Sequence, residues 1–244
     1  MPSETQHEES TAIHTVFERL LVDIVQGTYP QGERLPAERE LARALGASRP
    51  TLREALRKLG AWSLVAPRRG SGVVVKPYRE WSIEVVAAYI RYGAPRAGQP
   101  PIARVLIDVL TLRRTLLIDV LRESARRVPP GGTEAARAAM ARAWANRDDP
   151  AAFARDDFDA IRLILESAQF TPGVWVLNRI FSIWQEFVDA LAPVMRLPED
   201  YVAVYTRFFD LLDAGEPEPA CATLEQFLRD HDEALAAAAG AIAT

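Results

Sequence analysis

Leu35-Pro36-Ala37-Glu38-Arg39-Glu40-Leu41-Ala42-Arg43-Ala44-Leu45-Gly46-Ala47-Ser48-Arg49-Pro50-Thr51-Leu52-Arg53-Glu54-Ala55-Leu56-Arg57-Lys58-Leu59-Gly60 is the stretch on which the fold turns. Pro36 stands near a helix start, where its fixed φ fits, and Gly46 stands at the end, where a left-handed cap is needed. Ser48 is a good N-cap for a following helix, with Pro50 early in its first turn. That helix places Leu52, Ala55, Leu56 and Leu59 on one face. Arg49, Arg53 and Arg57 fall at i, i+4 and i+8 and share a nearly opposite face. Two helices joined by a tight Gly-Ala-Ser turn, the second rich in arginine, have the form of a helix-turn-helix.

Working outward, Ile13, Val16, Phe17, Leu20, Leu21 and Ile24 recur at helical spacing and predict a helix over about 11–26. Gly27 and Pro30 stop it. Downstream, residues 62–65 and 73–75 read as two short strands around the basic turn Pro67-Arg68-Arg69-Gly70-Ser71-Gly72. Residues 11–77 therefore read as three helices and a β-hairpin wing.

The chemistry of that segment suits DNA. Arginine can pair bidentately with a guanine edge or clamp a phosphate. Ser48 and Thr51 add hydroxyls at a helix N-terminus, where backbone N–H groups also favour phosphate. Glycine in the wing lets backbone approach a duplex closely, and Arg68 and Arg69 suit a minor groove or phosphates. An isolated arginine face is ordinarily just solvated. Here the helix pair, the turn and the basic wing coincide in one basic segment. The whole chain carries −4, yet residues 11–77 hold 11 Lys and Arg against six Asp and Glu, net +5. Residues 1–10 carry −3 and residues 78–244 carry −6. A basic head is joined to an acidic body.

Beyond residue 77 the pattern is helical almost throughout, with helices expected over about 80–92, 102–128, 133–147, 150–168, 172–192, 198–214 and 217–239. This half is rich in aromatics, among them Phe153, Trp175, Trp184, Phe208 and Phe227. The fold expected is mainly α: a winged helix-turn-helix over 11–77 joined to an all-α helical-bundle effector domain over 78–244. Residues 1–10, polar and acidic, read as a short disordered tail and not as a signal peptide.

Several function classes fall away. No apolar run approaches the ~20 residues that span a bilayer, so no membrane partner is expected. The single cysteine, Cys221, permits no intrachain disulfide and fits a reducing cytoplasm. One Cys and three His leave no Cys/His zinc site within one chain. No Ser/His/Asp set and no glycine-rich phosphate loop is present, so no catalytic residues are expected.

Leu35-Pro36-Ala37-Glu38-Arg39-Glu40-Leu41-Ala42, Ser48-Arg49-Pro50-Thr51-Leu52-Arg53-Glu54-Ala55-Leu56 and Arg69-Gly70-Ser71-Gly72-Val73 resemble, in order and spacing, the GntR family of bacterial regulators. The resemblance covers about 65 residues and implies DNA contacts by Arg39, Arg49 and Arg53, assisted by Thr51, Arg69 and Gly70, to which Ser48 is added for its hydroxyl at the helix start. Arg39 is named on the resemblance alone. The all-helical remainder resembles the FadR-like subgroup. Many members of that subgroup hold a divalent metal with an Asp and three His. The corresponding positions here are Asp157, Ile161, Tyr205 and Phe227, so the imidazoles are replaced, and no metal or other cofactor is expected. Such a metal-free body resembles the acyl-CoA-responsive branch of the subgroup, although the last helix departs from it at Leu228, His231 and Leu235.

The expected partners are a double-stranded, palindromic DNA operator, a second copy of the chain, and a small-molecule effector, with long-chain acyl-CoA as one candidate. Half-sites about one helical turn apart require two reading heads, hence a homodimer. Candidate ligand-binding residues are Asp157, Ile161, Tyr205, Phe227 and His231. Aromatics that merely fill a bundle core are the competing reading. For His231 it is a surface position, since Asp230 and Asp232 flank it and polar neighbours mark an exposed face. A sensor of a small carboxylate, with or without metal, and an architectural DNA binder are the alternative functions.

Overall fold

The computed structural model describes residues 4–70, 72–94, 99–191 and 196–242. Ser71 of the expected wing lies outside them. The chain divides into two compact units, Met1–Ile102 and Ala103–Thr244.

The first unit begins with α1 (Glu4–Val25). Residues 4–10, expected as a disordered tail, continue this helix. Val16, Phe17, Leu20, Leu21, Ile24 and Val25 bury the other end. Helix α2 (Glu38–Ala44) contributes Leu41 and Ala42 to the core. Helix α3 (Arg49–Ala61) contributes Leu52, Ala55, Leu56 and Leu59, and packs on α1. Gly46, at φ +62°, makes the turn between α2 and α3 in a region that costs other residues strain.

Strand β1 (Val65–Arg68) pairs antiparallel with β2 (Gly72–Val75), Val65 opposite Val75 and Arg68 opposite Gly72. The first strand thus starts three residues later than its β-forming residues suggest. Trp62 is drawn instead into an edge-to-face contact with Phe17, ring centres 4.9 Å apart. Ser63 turns the chain at φ +57°, and Leu64 N–H donates back to the Leu59 carbonyl. Pro67 is tolerated because β1 has β2 on one side only. The backbone of residues 32–35 lines the other edge of β2, with Leu35 N–H donating to the Val73 carbonyl and Val75 N–H to Glu33.

The helix expected over about 80–92 is shortened. Two 3-10 turns, Tyr78–Glu80 and Ile83–Val85, precede α4 (Val86–Tyr92). The Trp81 indole N–H donates to the Lys76 carbonyl, and Ser82 N–H donates to Trp62, which ties this segment to the wing's base. Helix α4 packs on α1, so the expected boundary after residue 77 falls inside the first unit.

The second unit is a bundle of α5 (Ile102–Ala125), α6 (Glu134–Ala145), α7 (Pro150–Ser167), α8 (Thr171–Leu191), α9 (Tyr201–Asp213) and α10 (Pro217–Ile242). Small side chains at Ala136, Ala139 and Ala143 let α6 lie close against α7. Asp149 caps α7 by accepting from Ala151 and Ala152 N–H, with Pro150 in the first turn. Tyr205, Phe208, Phe209 and Leu224 are fully buried at the centre. Arg137 ties α6 to α9 through Asp210 and Asp213. Arg122 of α5, and Arg126 just past its end, pair with Glu218 of α10.

Candidate functional site

The first unit presents its basic surface on α2, α3 and the wing. Ser48 caps α3, its Oγ accepting from Thr51 N–H at 3.2 Å and lying 2.7 Å from Thr51 Oγ1. Thr51 is only 9% exposed. These two hydroxyls are therefore spent on the helix start, and Thr51 is a structural member of the motif more than an outward donor. The cap fixes where α3 begins and so where its arginines emerge.

Arg39 and Arg49 are exposed, and among the described residues neither forms an ion pair. Arg53 is exposed on the same face, but its Nε donates to Glu38 Oε2 at 2.8 Å. Arg57 differs again: both its Nε and Nη2 donate to Glu54 of the preceding turn, so its fork is occupied. At the wing, Arg68, Arg69 and Gly70 are exposed, and Gly70 and Gly72 stand at φ +71° and +78°. A Cβ at Gly70 would meet nothing within 4 Å, so the glycine serves the turn and not a tight contact. The Arg34 Nη2 donates to the Gly70 carbonyl at 3.4 Å and braces the wing tip. Glu38 and Arg34 are the residues that the sequence reading missed. Glu38 lies 15 positions from Arg53, and only the folded turn brings them together.

The second unit contains a cavity of about 40 Å³ whose lining includes Arg113, Asp157, Tyr201, Tyr205, Phe227 and His231. Of the residues expected there, Asp157, Tyr205, Phe227 and His231 do meet. Ile161 does not line it; its side chain is 2% exposed and belongs to the core. The enclosed Asp157 carboxyl accepts from Tyr201 Oη at 2.8 Å, with the Tyr205 ring beside it in the lining of the same cavity. Burial pushes its pKa up, against the pull of the two phenols and Arg113. Burial, with the Asp157 charge second, also raises both phenols.

His231 is not the surface residue that its neighbours suggested. Burial, then the positive charge of Arg113, pushes it down to about 4, so it is neutral at pH 7. The misleading neighbour, Asp232, is itself 4% exposed and pairs with Arg113 at 2.9 Å and with Arg114. Arg113 also lies 4.1 Å from the Trp184 ring centre. Its Nε is buried and has no hydrogen-bond partner among the described residues. Phe153 and Leu197 line both this cavity and a surface groove of about 340 Å³ that Trp144 and Arg147 flank.

A divalent metal does not fit this donor set. Ile161 and Phe227 offer no lone pair, and burial holds the Tyr205 phenol protonated, a poor ligand for a divalent ion. Among the described residues no three His, Cys, Asp or Glu side chains form a metal-holding group.

Residues 12–75 match the model of the bacterial regulatory proteins of the gntR family. Over 205 residues the chain is 29% identical to the HTH-type transcriptional regulator Mce2R of Mycobacterium tuberculosis, which covers 84% of this chain and 83% of that one. Over 169 residues it is 30% identical to the fatty acid metabolism regulator protein of Serratia proteamaculans, across 68% of this chain and 64% of the relative. Among solved structures it resembles that of Lar, which controls the expression of the Listeria monocytogenes agr system, with a TM-score of 0.60 and 20% identity over 93% of this chain and 95% of the other. At that identity the likeness speaks for the fold alone.

Proposed function

We infer that this chain, whose residues 12–75 are a helix-turn-helix domain of the gntR family of bacterial regulators, binds a palindromic operator as a homodimer and releases or tightens it on binding a small molecule in its helical unit. The observation that carries the DNA-reading part is the exposed face of α3. There Arg49 and Arg53 are exposed while Leu52 and Leu59 are turned into the core, next to a basic wing. Of the relatives, one is named a transcriptional regulator and the other a regulator of fatty acid metabolism, which supports a regulator over an enzyme. Among the described residues no helix is long and apolar enough to cross a membrane. The proposed place of action is the cytoplasm, on the nucleoid.

Effector control works by linkage: a ligand that changes operator affinity by some factor has its own affinity changed by DNA in the same direction and by the same factor. Long-chain acyl-CoA is the effector that the likeness to fatty acid regulators suggests. A second reading has a specific observation in its favour. A cavity of about 40 Å³ has room for on the order of three waters, whereas drug-sized ligands occupy roughly 300–1,000 Å³. An unpartnered Arg113 Nε beside neutral His231 suits a small carboxylate. A long chain would have to force Phe153 and Leu197 apart. Operator affinity measured against saturated acyl-CoAs of graded length and against a panel of small carboxylates separates the two. A carboxylate is expected to shift affinity. A shift that appears only with long acyl chains would exclude the small-ligand reading, and no shift with either would leave an effector-free architectural binder.

A further inference from the structure

We propose that Glu38 is a positioning residue for base reading: its carboxylate holds Arg53 so that the guanidinium meets a base edge in one orientation. This rests on α3 being the element that reads DNA. The three arginines of that face are in three different states. Arg57 has its fork closed on Glu54. Arg49 has no carboxylate partner among the described residues. Arg53 alone is held across the turn, by a residue of α2, through Nε only. Both terminal nitrogens of Arg53 stay available, and those are the atoms that reach two acceptors on a guanine edge.

The cost of the arrangement argues for its purpose. Glu38 is 39% exposed beside the arginines. A carboxylate on that surface weakens attraction to phosphate for every sequence alike. An exposed ion pair contributes little stability in return. Holding a long side chain in its bound orientation before DNA arrives lowers the ordering cost for the right base, and offers nothing for a wrong one. Glu38 therefore trades non-specific affinity for discrimination.

The test uses the full chain. Preferred duplexes are selected from a random pool, and the base read by Arg53 is found as the position where Arg53→Ala loses preference. Affinity is then measured for the preferred duplex, for one substituted at that base, and for a random duplex. Glu38→Ala is expected to bind the random duplex at least as tightly as wild type, and to lose about tenfold in the ratio of preferred to substituted duplex. Glu38→Asp, which keeps the charge but is one methylene short, is expected to lose the ratio similarly. Glu38→Gln, whose amide oxygen still accepts from Nε, is expected to retain most of it. In an Arg53→Ala background Glu38→Ala should leave the ratio unmoved. An unchanged ratio in both Glu38→Ala and Glu38→Asp overturns the proposal. So does equal loss in Glu38→Ala and Glu38→Gln with none in Glu38→Asp, which would make charge the cause. A wild type with no preferred duplex overturns the DNA-reading function itself, and this proposal with it.

Discussion

Arg53 shows what a single side chain does in this protein. It is expelled from the core by the same helical spacing that buries Leu52 and Leu56, and the Ser48 cap sets its height on the helix. Replacing it with Ala should weaken binding to a preferred duplex by about 1–3 kcal/mol and relax preference at one base. The thermal midpoint should hardly move, because the side chain is 69% exposed. A uniform loss over all sequences would make Arg53 a phosphate contact instead. His231 gives a second prediction. Its folded-state value of about 4 lies below the ordinary 6.5, so the folded chain refuses a proton that the unfolded chain accepts. Its contribution is fully present above pH 6.5 and is lost as pH falls toward 4, by up to about 3 kcal/mol. Denaturant unfolding of His231→Gln across that window should show a shallower acid loss than wild type; equal slopes would contradict the burial. The arginines were legible in the sequence because spacing alone puts them on one face. His231 was not, because Asp232 beside it looks solvated until Arg113 and Arg114 arrive from 118 residues or more away.

At the scale of elements, the helices were legible and the hairpin only partly so. Helix ends are set locally, by Ser48, by Asp149 with Pro150, and by glycines at φ > 0 such as Gly46 and Gly215. The start of β1 is set by a distant partner, since the pull of Phe17 on Trp62 overrides local β-preference. The pairing of α7 with α9 was likewise invisible. Asp157 could be singled out by the resemblance to the FadR-like subgroup, but Tyr201, which donates to it, could not. This contact carries a prediction. Tyr201→Phe leaves the enclosed carboxyl short of one donor and should cost about 1–3 kcal/mol in unfolding free energy. An unchanged stability in Tyr201→Phe would show that a water already serves the carboxyl.

At the scale of the whole molecule, charge is divided between the units in a way that suits their tasks. The basic segment over 11–77 carries the proposed DNA-reading surface, and the acidic remainder would repel phosphate from the rest of the surface. That division is legible by counting charges along the chain. What the helical unit binds is not. Aromatic composition fits a packed core and a ligand pocket equally well, and only the small volume enclosed at Asp157, Tyr205 and His231 distinguishes them. The central claim, a head that reads sequence, is tested most directly by the affinity of the full chain for a selected duplex and for a random one, as salt is raised. The expected result is a preference of about 10³ or more, with both affinities falling steeply and linearly in log–log form. Equal affinity for the two duplexes, or binding indifferent to salt, would contradict it.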